Sequence, residues 1–127
     1  MPYELSDEER ERVHAGTDEQ KYRYFVDRGA GSGQVFTLAD GDRWASVDSG
    51  GDRYLPVWPH PGFAEECLTG AWADFEANAI QVRSFLDVLE NLIDMGDRVA
   101  LFRRADGDFI MIDPRVLLED LVEALEG

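Results

Sequence analysis

Three prolines within six residues, Pro56, Pro59 and Pro61, set the strongest limit on how this chain folds. Proline has no amide hydrogen to give to a sheet ladder, and its ring fixes φ near the helical value. A strand that reaches Leu55-Pro56-Val57 therefore cannot continue through Trp58-Pro59-His60-Pro61. The chain has to leave the sheet there. Pro61 suits the first turn of a helix, where no amide hydrogen is needed, and predicts a helix over about 62–69.

Upstream of the prolines, segments 34–39, 43–48 and 53–57 are short and rich in β-branched and aromatic residues. Asp40-Gly41 and Gly50-Gly51 separate them and can adopt the positive backbone angles of tight hairpins, so a three-stranded meander is expected. Before it, Ser6 with Glu9 and Thr17 with Gln20 match the capping-box spacing and predict helices over 7–15 and 18–28. The first offers only Leu5 and Val13 for burial, so residues 1–16 are expected to dock loosely. The second carries Tyr22, Phe25 and Val26 at helical spacing. Between helix and meander, Gly29–Gly33 reads as a flexible connector. A phosphate cradle needs a strand before its glycines and a helix after them, the reverse of the order here, and no Gly-Lys-Ser or Gly-Lys-Thr follows.

Downstream, 80–82 suggests a brief extended piece, after which Ser84 and Asp87 open a helix that stops at Gly96. Segments 98–102 and 108–112 form a second hairpin across Ala105-Asp106-Gly107. The unbroken apolar run Phe109-Ile110-Met111-Ile112 predicts a strand covered on both faces. Asp113-Pro114 caps a last helix with Leu117, Leu118, Leu121, Val122 and Leu125 along one stripe. The order ααβββαβαββα lacks regular βα alternation and predicts an α+β fold, with a mainly antiparallel sheet of about five strands packed against helices at 84–95 and 114–125. At 127 residues and 44% hydrophobic composition the chain fills one core; two cores of about 60 residues each would be marginal.

Charge narrows the partners. Against 27 Asp and Glu stand 12 Lys and Arg, a formal charge of −15, which repels phosphate backbones and anionic membranes and leaves a basic protein as the compatible partner. Residues 61–97 hold eight acids and one base, Arg83, for a net −7. Glu65, Glu66, Asp74 and Glu76 are the candidate partner-facing acids; the alternative is a pair of amphipathic helices with solvated outer faces, or the surface habit of a salt-adapted proteome. A single cysteine, Cys67, cannot form an intramolecular disulfide. The opening SDEERER is no secretory leader and no run approaches the roughly 18 apolar residues of a membrane span, so a cytoplasmic location is expected.

Reactive constellations fail on spacing. Cys67 with His60 as its base would be separated by seven residues, roughly 10 Å along a helix axis and beyond hydrogen-bond reach. Asp106-Gly107-Asp108 opens like a calcium loop, yet Met111 stands where the turn glycine belongs and Leu117 where the closing Glu belongs. Two histidines and no paired cysteines give no transition-metal set. No catalytic residue, metal ligand or cofactor is assigned. Arg103 and Arg104 read as hairpin surface paired with Asp106 or Asp108. The stiff corner holding Trp58 and His60, together with Trp44 and Trp72, supplies the candidate binding residues; in the structural alternative Trp58 plugs the join of sheet and helix while His60 caps the helix.

Tyr22-Arg23-Tyr24-Phe25, Val35-Phe36-Thr37-Leu38 with Arg43-Trp44-Ala45, Leu55-Pro56-Val57-Trp58-Pro59-His60 with Ala64 and Cys67, Gly70-Ala71-Trp72, and Ile112-Asp113-Pro114 together resemble the domain of unknown function 2750 family, over about Tyr22 to Leu125. The resemblance implies a small standalone cytoplasmic protein and carries over no activity or site residue. A fainter likeness runs to the SseB amino-terminal domain. The function expected from these features is a non-enzymatic protein-interaction or regulatory module; the alternative is a small-molecule binder or unidentified enzyme with its pocket near the Trp-Pro-His segment.

Overall fold

The computed structural model describes residues 5–126. Two helices open the chain, α1 (Asp7–His14) and α2 (Asp18–Ser32), followed by strands β1 (Gln34–Asp40), β2 (Arg43–Trp44), β3 (Val47–Ser49) and β4 (Asp52–Val57). A one-turn helix α3 (Pro61–Ala64) and two 3-10 turns (Glu65–Cys67 and Gly70–Trp72) lead to β5 (Glu76–Gln81). Then come α4 (Val82–Met95), β6 (Arg98–Leu101), β7 (Ile110–Ile112) and α5 (Pro114–Glu126). The α+β class holds, with seven strands among the described residues in place of about five.

The expected meander does not form. The strands divide into two sheets, ordered β2-β1-β5 and β3-β4-β6-β7, because the second extended segment breaks after Trp44 and its later half turns to pair with β4. The sheets touch where Phe36 and Trp58 exchange backbone bonds of 2.8 Å in both directions. One residue along, the buried Thr37 hydroxyl donates to the Pro56 carbonyl at 2.8 Å. That bond explains how proline sits inside a four-stranded sheet. In an extended chain the nitrogen and oxygen of one residue point the same way, so the Pro56 nitrogen faces β1, past the last β3 pair at Val47–Tyr54, where no ladder requires a donor.

Helix ends follow their residue chemistry. Ser6 accepts from the Glu9 amide at 3.1 Å, and Thr17 and Gln20 close a full reciprocal capping box. Gly96 terminates α4 with φ +76. At α5, Asp113 Oδ1 accepts from the Arg115 amide at 2.9 Å. Four expectations need correction. The Gly29–Gly33 run is no flexible connector: α2 continues to Ser32 and stops at Gly33 with φ +80, since Gly29 lets the helix close on Val35 and Leu121. Helix α4 begins at Val82, ahead of Ser84, because β5 fills 76–81 along the whole of β1 and ends against it. The helix expected over 62–69 is one α-turn, tightened into 3-10 geometry from Glu65. Met111 of β7 is 62% exposed, so the apolar run is covered on one face only, and β7 is an edge of its sheet.

Helix α5 packs against both α2 and α4. Phe25, Phe85, Leu89, Leu117 and Leu121 meet Val35, Leu38, Val99 and Leu101 of the sheets in a continuous buried core. Helix α1 is held by the Tyr24 hydroxyl and the Arg28 guanidinium, both on Glu9, and by His14 Nε2 3.0 Å from Glu66. No helix among the described residues is long and apolar enough to cross a membrane.

Candidate functional site

Strands β4 and β6 run parallel, with Val57 opposite Leu101. Their carboxyl ends therefore release the chain at the same place. The segments leaving are Trp58-Pro59-His60 and Phe102-Arg103-Arg104, and carboxyl ends of parallel strands are where α/β sheets bind ligands. Phe102 makes the turn out of β6 with φ +53, the left-handed region that non-glycine residues adopt rarely and at a cost. That turn swings the Arg103 carbonyl back toward the other strand. Trp58 Nε1–H donates to it at 3.0 Å and the Cys67 thiol at 2.9 Å.

The Arg103 side chain lies over the Trp72 ring, 4.9 Å from its centroid. One terminal nitrogen donates to the Arg104 carbonyl at 2.6 Å. Its Nε is buried with no hydrogen-bond partner among the described residues. Arg103 forms no ion pair there either, contrary to the expected pairing with Asp106 or Asp108. Asp106 is occupied with closing the hairpin loop, its carboxylate accepting from the Asp108 amide at 2.9 Å.

Of the four aromatic candidates, the structure brings Trp58 and Trp72 together through Arg103. Trp58 is 1% exposed and Trp72 half-buried. His60 is also half-buried; its Nδ1 accepts from the Gly62 amide at 2.9 Å, capping α3 as the structural alternative has it. Trp44 lies in the other sheet, on β2, and is 38% exposed. Cys67 is buried, and loss of hydration pushes its thiol pKa up, opposed in part by the nearby Arg103 charge. Sequence reasoning missed Arg103. The available signal was its position, two residues past an apolar strand, matching that of Pro59 past β4.

The acidic candidates divide differently. Glu65, Asp74 and Glu76 are exposed, whereas Glu66 is half-buried against His14. Across 61–97, Glu65, Asp74, Glu76, Asp87, Glu90 and Asp94 are all exposed and belong to none of the ion pairs among the described residues. By contrast Asp7, Glu9, Asp40, Asp48 and Asp52 each have an arginine within 4 Å. Two grooves lie away from these residues. One of about 740 Å³ between α2 and α5 is lined by Tyr22, Arg23, Asp27 and Asp120. Another of about 580 Å³ runs past Ser32, Gly33, Gln81 and Arg83. Among the described residues no group of three or more His, Cys, Asp or Glu is placed to hold a metal ion.

A family model described as a protein of unknown function, DUF2750, matches residues 22–121, from the middle of α2 to the last turns of α5. No curated protein matches the chain.

Proposed function

This chain belongs to the DUF2750 family, and from that premise we propose that it is a non-enzymatic, cytoplasmic protein-interaction or regulatory module whose partner is a basic protein. One observation carries the reading: among the described residues, six exposed carboxylates between Glu65 and Asp94 belong to no ion pair, in a stretch, 61–97, whose one base is Arg83, whereas Asp7, Glu9, Asp40, Asp48 and Asp52 each have an arginine beside them. Unpaired surface charge of one sign raises the rate and selectivity of association with the opposite sign. The groups that chemistry would need are engaged in the fold. Trp58 and Cys67 both donate to the Arg103 carbonyl, and His60 caps α3.

The test is affinity capture at low salt with wild-type chain and with a triple Glu65→Gln, Asp74→Asn, Glu76→Gln variant. A basic protein held by the first, released by salt and absent from the second is the expected result. Equal capture by both ends the proposal.

A second reading keeps a small-molecule site at Trp58, His60 and Trp72, with Trp44 as the outlying member. It is favoured by the buried Nε of Arg103, which has no hydrogen-bond partner among the described residues and lies beside Trp72 at the carboxyl ends of β4 and β6. An anionic compound is the chemistry that guanidinium would take. A thermal-shift screen of carboxylates and phosphates, repeated on Trp72→Ala, discriminates: hits that vanish in the variant support the site, and none in wild type removes it.

A further inference from the structure

The two sheets have four edges, β2 and β5 in one and β3 and β7 in the other. Three of these edge strands are two or three residues long, and brevity is one way proteins keep edges from pairing. Strand β5 is six residues long, contains no proline or lysine, and pairs with β1 without a bulge from Glu76 to Gln81.

The hydrogen-bonding parity of β5 follows from bonds around it. Phe36 spends its amide and carbonyl on Trp58, so neither faces Ala79. The Leu38 carbonyl accepts from Ala45 at 2.8 Å, so it faces away from Ala77. The Val82 amide bonds to the Gly33 carbonyl at 2.9 Å. Antiparallel alternation then gives the β1 ladder to Glu76, Asn78 and Ile80, and turns the N–H and C=O of Ala77 and Ala79 outward. Ala79 is exposed, and no bond closes either residue's outer side among the described residues. Methyl side chains leave room for another strand at the usual spacing of about 4.8 Å.

Charge selects the occupant. Asp74 and Glu76 stand at the entry of β5, and Arg83, the one base of 61–97, follows its exit. We propose that β5 pairs with β5 of a second copy of this chain, antiparallel about a two-fold axis, forming one continuous six-stranded sheet. The two-fold brings each copy's Arg83 to the Asp74–Glu76 end of the other, so the same patch is its own complement. A uniformly basic strand would meet attraction at one end and Arg83 at the other. The inference does not rest on the basic-partner reading, though both draw on Asp74 and Glu76.

Sedimentation equilibrium of the full chain at about 0.15 M salt, where net-charge repulsion is screened beyond about 8 Å, reads the dimer directly, and amide exchange by NMR locates it. Expected are a reversible dimer and slowing of Ala79 exchange as concentration rises. Ala79→Pro removes an outward N–H and no β1 ladder bond, and is expected to raise the Kd about tenfold or more, a change of about 1.4 kcal/mol. Arg83→Glu weakens the dimer, and adding Glu76→Arg restores it. If Ala79→Pro fails to fold by circular dichroism, wild-type exchange decides alone. A chain monomeric at millimolar concentration overturns the proposal, as does a dimer with concentration-independent Ala79 exchange. So does a monomer whose Ala79 amide is protected only by an alternating Lys-Val peptide, which gives the edge to a basic partner.

Discussion

The indole N–H of Trp58 donates to the backbone carbonyl of Arg103 across 45 residues of sequence, at 3.0 Å. The Cys67 thiol reaches the same oxygen, so one carbonyl gathers the exits of β4 and β6 and the 3-10 turn between them. Trp58→Phe keeps most of the ring volume but leaves that carbonyl with only a weak thiol donor. Urea unfolding is expected to read a loss of about 1–3 kcal/mol. Trp58→Ala adds a cavity and is expected to cost about 3–5 kcal/mol. An unchanged midpoint in Trp58→Phe means the indole bond contributes nothing to stability.

Cys67 is predicted to resist alkylation in the folded state. Its thiol is buried, donates to Arg103, and is pushed toward the protonated form by lost hydration; the reactive species is the thiolate. Native labelling by a maleimide at pH 8 should be slow and should track denaturant-induced opening. Rapid stoichiometric labelling of the native chain would mean that the thiol is open to solvent.

Local chemistry was legible in the sequence and long-range pairing was not. The Thr17–Gln20 capping box, the Gly96 stop and the Asp113 cap each depend on residues within one turn, and each forms. The β6–β7 hairpin forms as well, because its strands are apolar and adjacent in the chain. By contrast β5 reads Glu-Ala-Asn-Ala-Ile-Gln, poor strand formers by composition, and is extended because β1, some 40 residues earlier, supplies a partner at every position. The parallel β4–β6 pair joins segments that no turn signal links. Arg103 was assigned to its nearest acids in sequence, whereas Asp106 spends its carboxylate on its own loop and the guanidinium turns to Trp72. Trp58 and His60 were named both as candidate binding residues and, in the alternative, as parts of the fold; in the structure Trp58 is buried and His60 Nδ1 caps α3.

The Tyr22 hydroxyl donates to the Asp120 carboxylate and ties α2 to α5. Burial, then that hydrogen bond and the neighbouring negative charge, raise the Tyr22 pKa well above its ordinary value of 10.0. The folded state therefore holds its proton at a pH where the unfolded chain has lost it. Stability from this group is complete below about pH 10 and falls as pH rises toward the folded pKa. At pH 7, Tyr22→Phe is expected to lose about 1 kcal/mol, the net contribution of one hydrogen bond. The wild-type advantage should narrow above about pH 10. Thermal unfolding of both chains from neutral to alkaline pH checks this, and an advantage constant across that range would refute it.

The three glycines that end α2 are predicted to respond differently to alanine, because each meets a different constraint. At Gly29 a Cβ would sit 3.1 Å from Val35 Cγ1, and Val35 is fully buried and cannot give way. Overpacking there outweighs the gain in helix propensity, for a net loss of about 1 kcal/mol. At Gly31 a Cβ meets nothing within 4 Å and the backbone is helical, so alanine should stabilise by about 0.5–1 kcal/mol. Gly33 also has open space, but its φ of +80 is unfavourable for a side chain, and alanine should cost about 1–2 kcal/mol. A floppy linker would give three small and similar effects. The predicted pattern of loss, gain and loss in chemical denaturation follows only if α2 runs unbroken to Ser32 and stops at a left-handed residue.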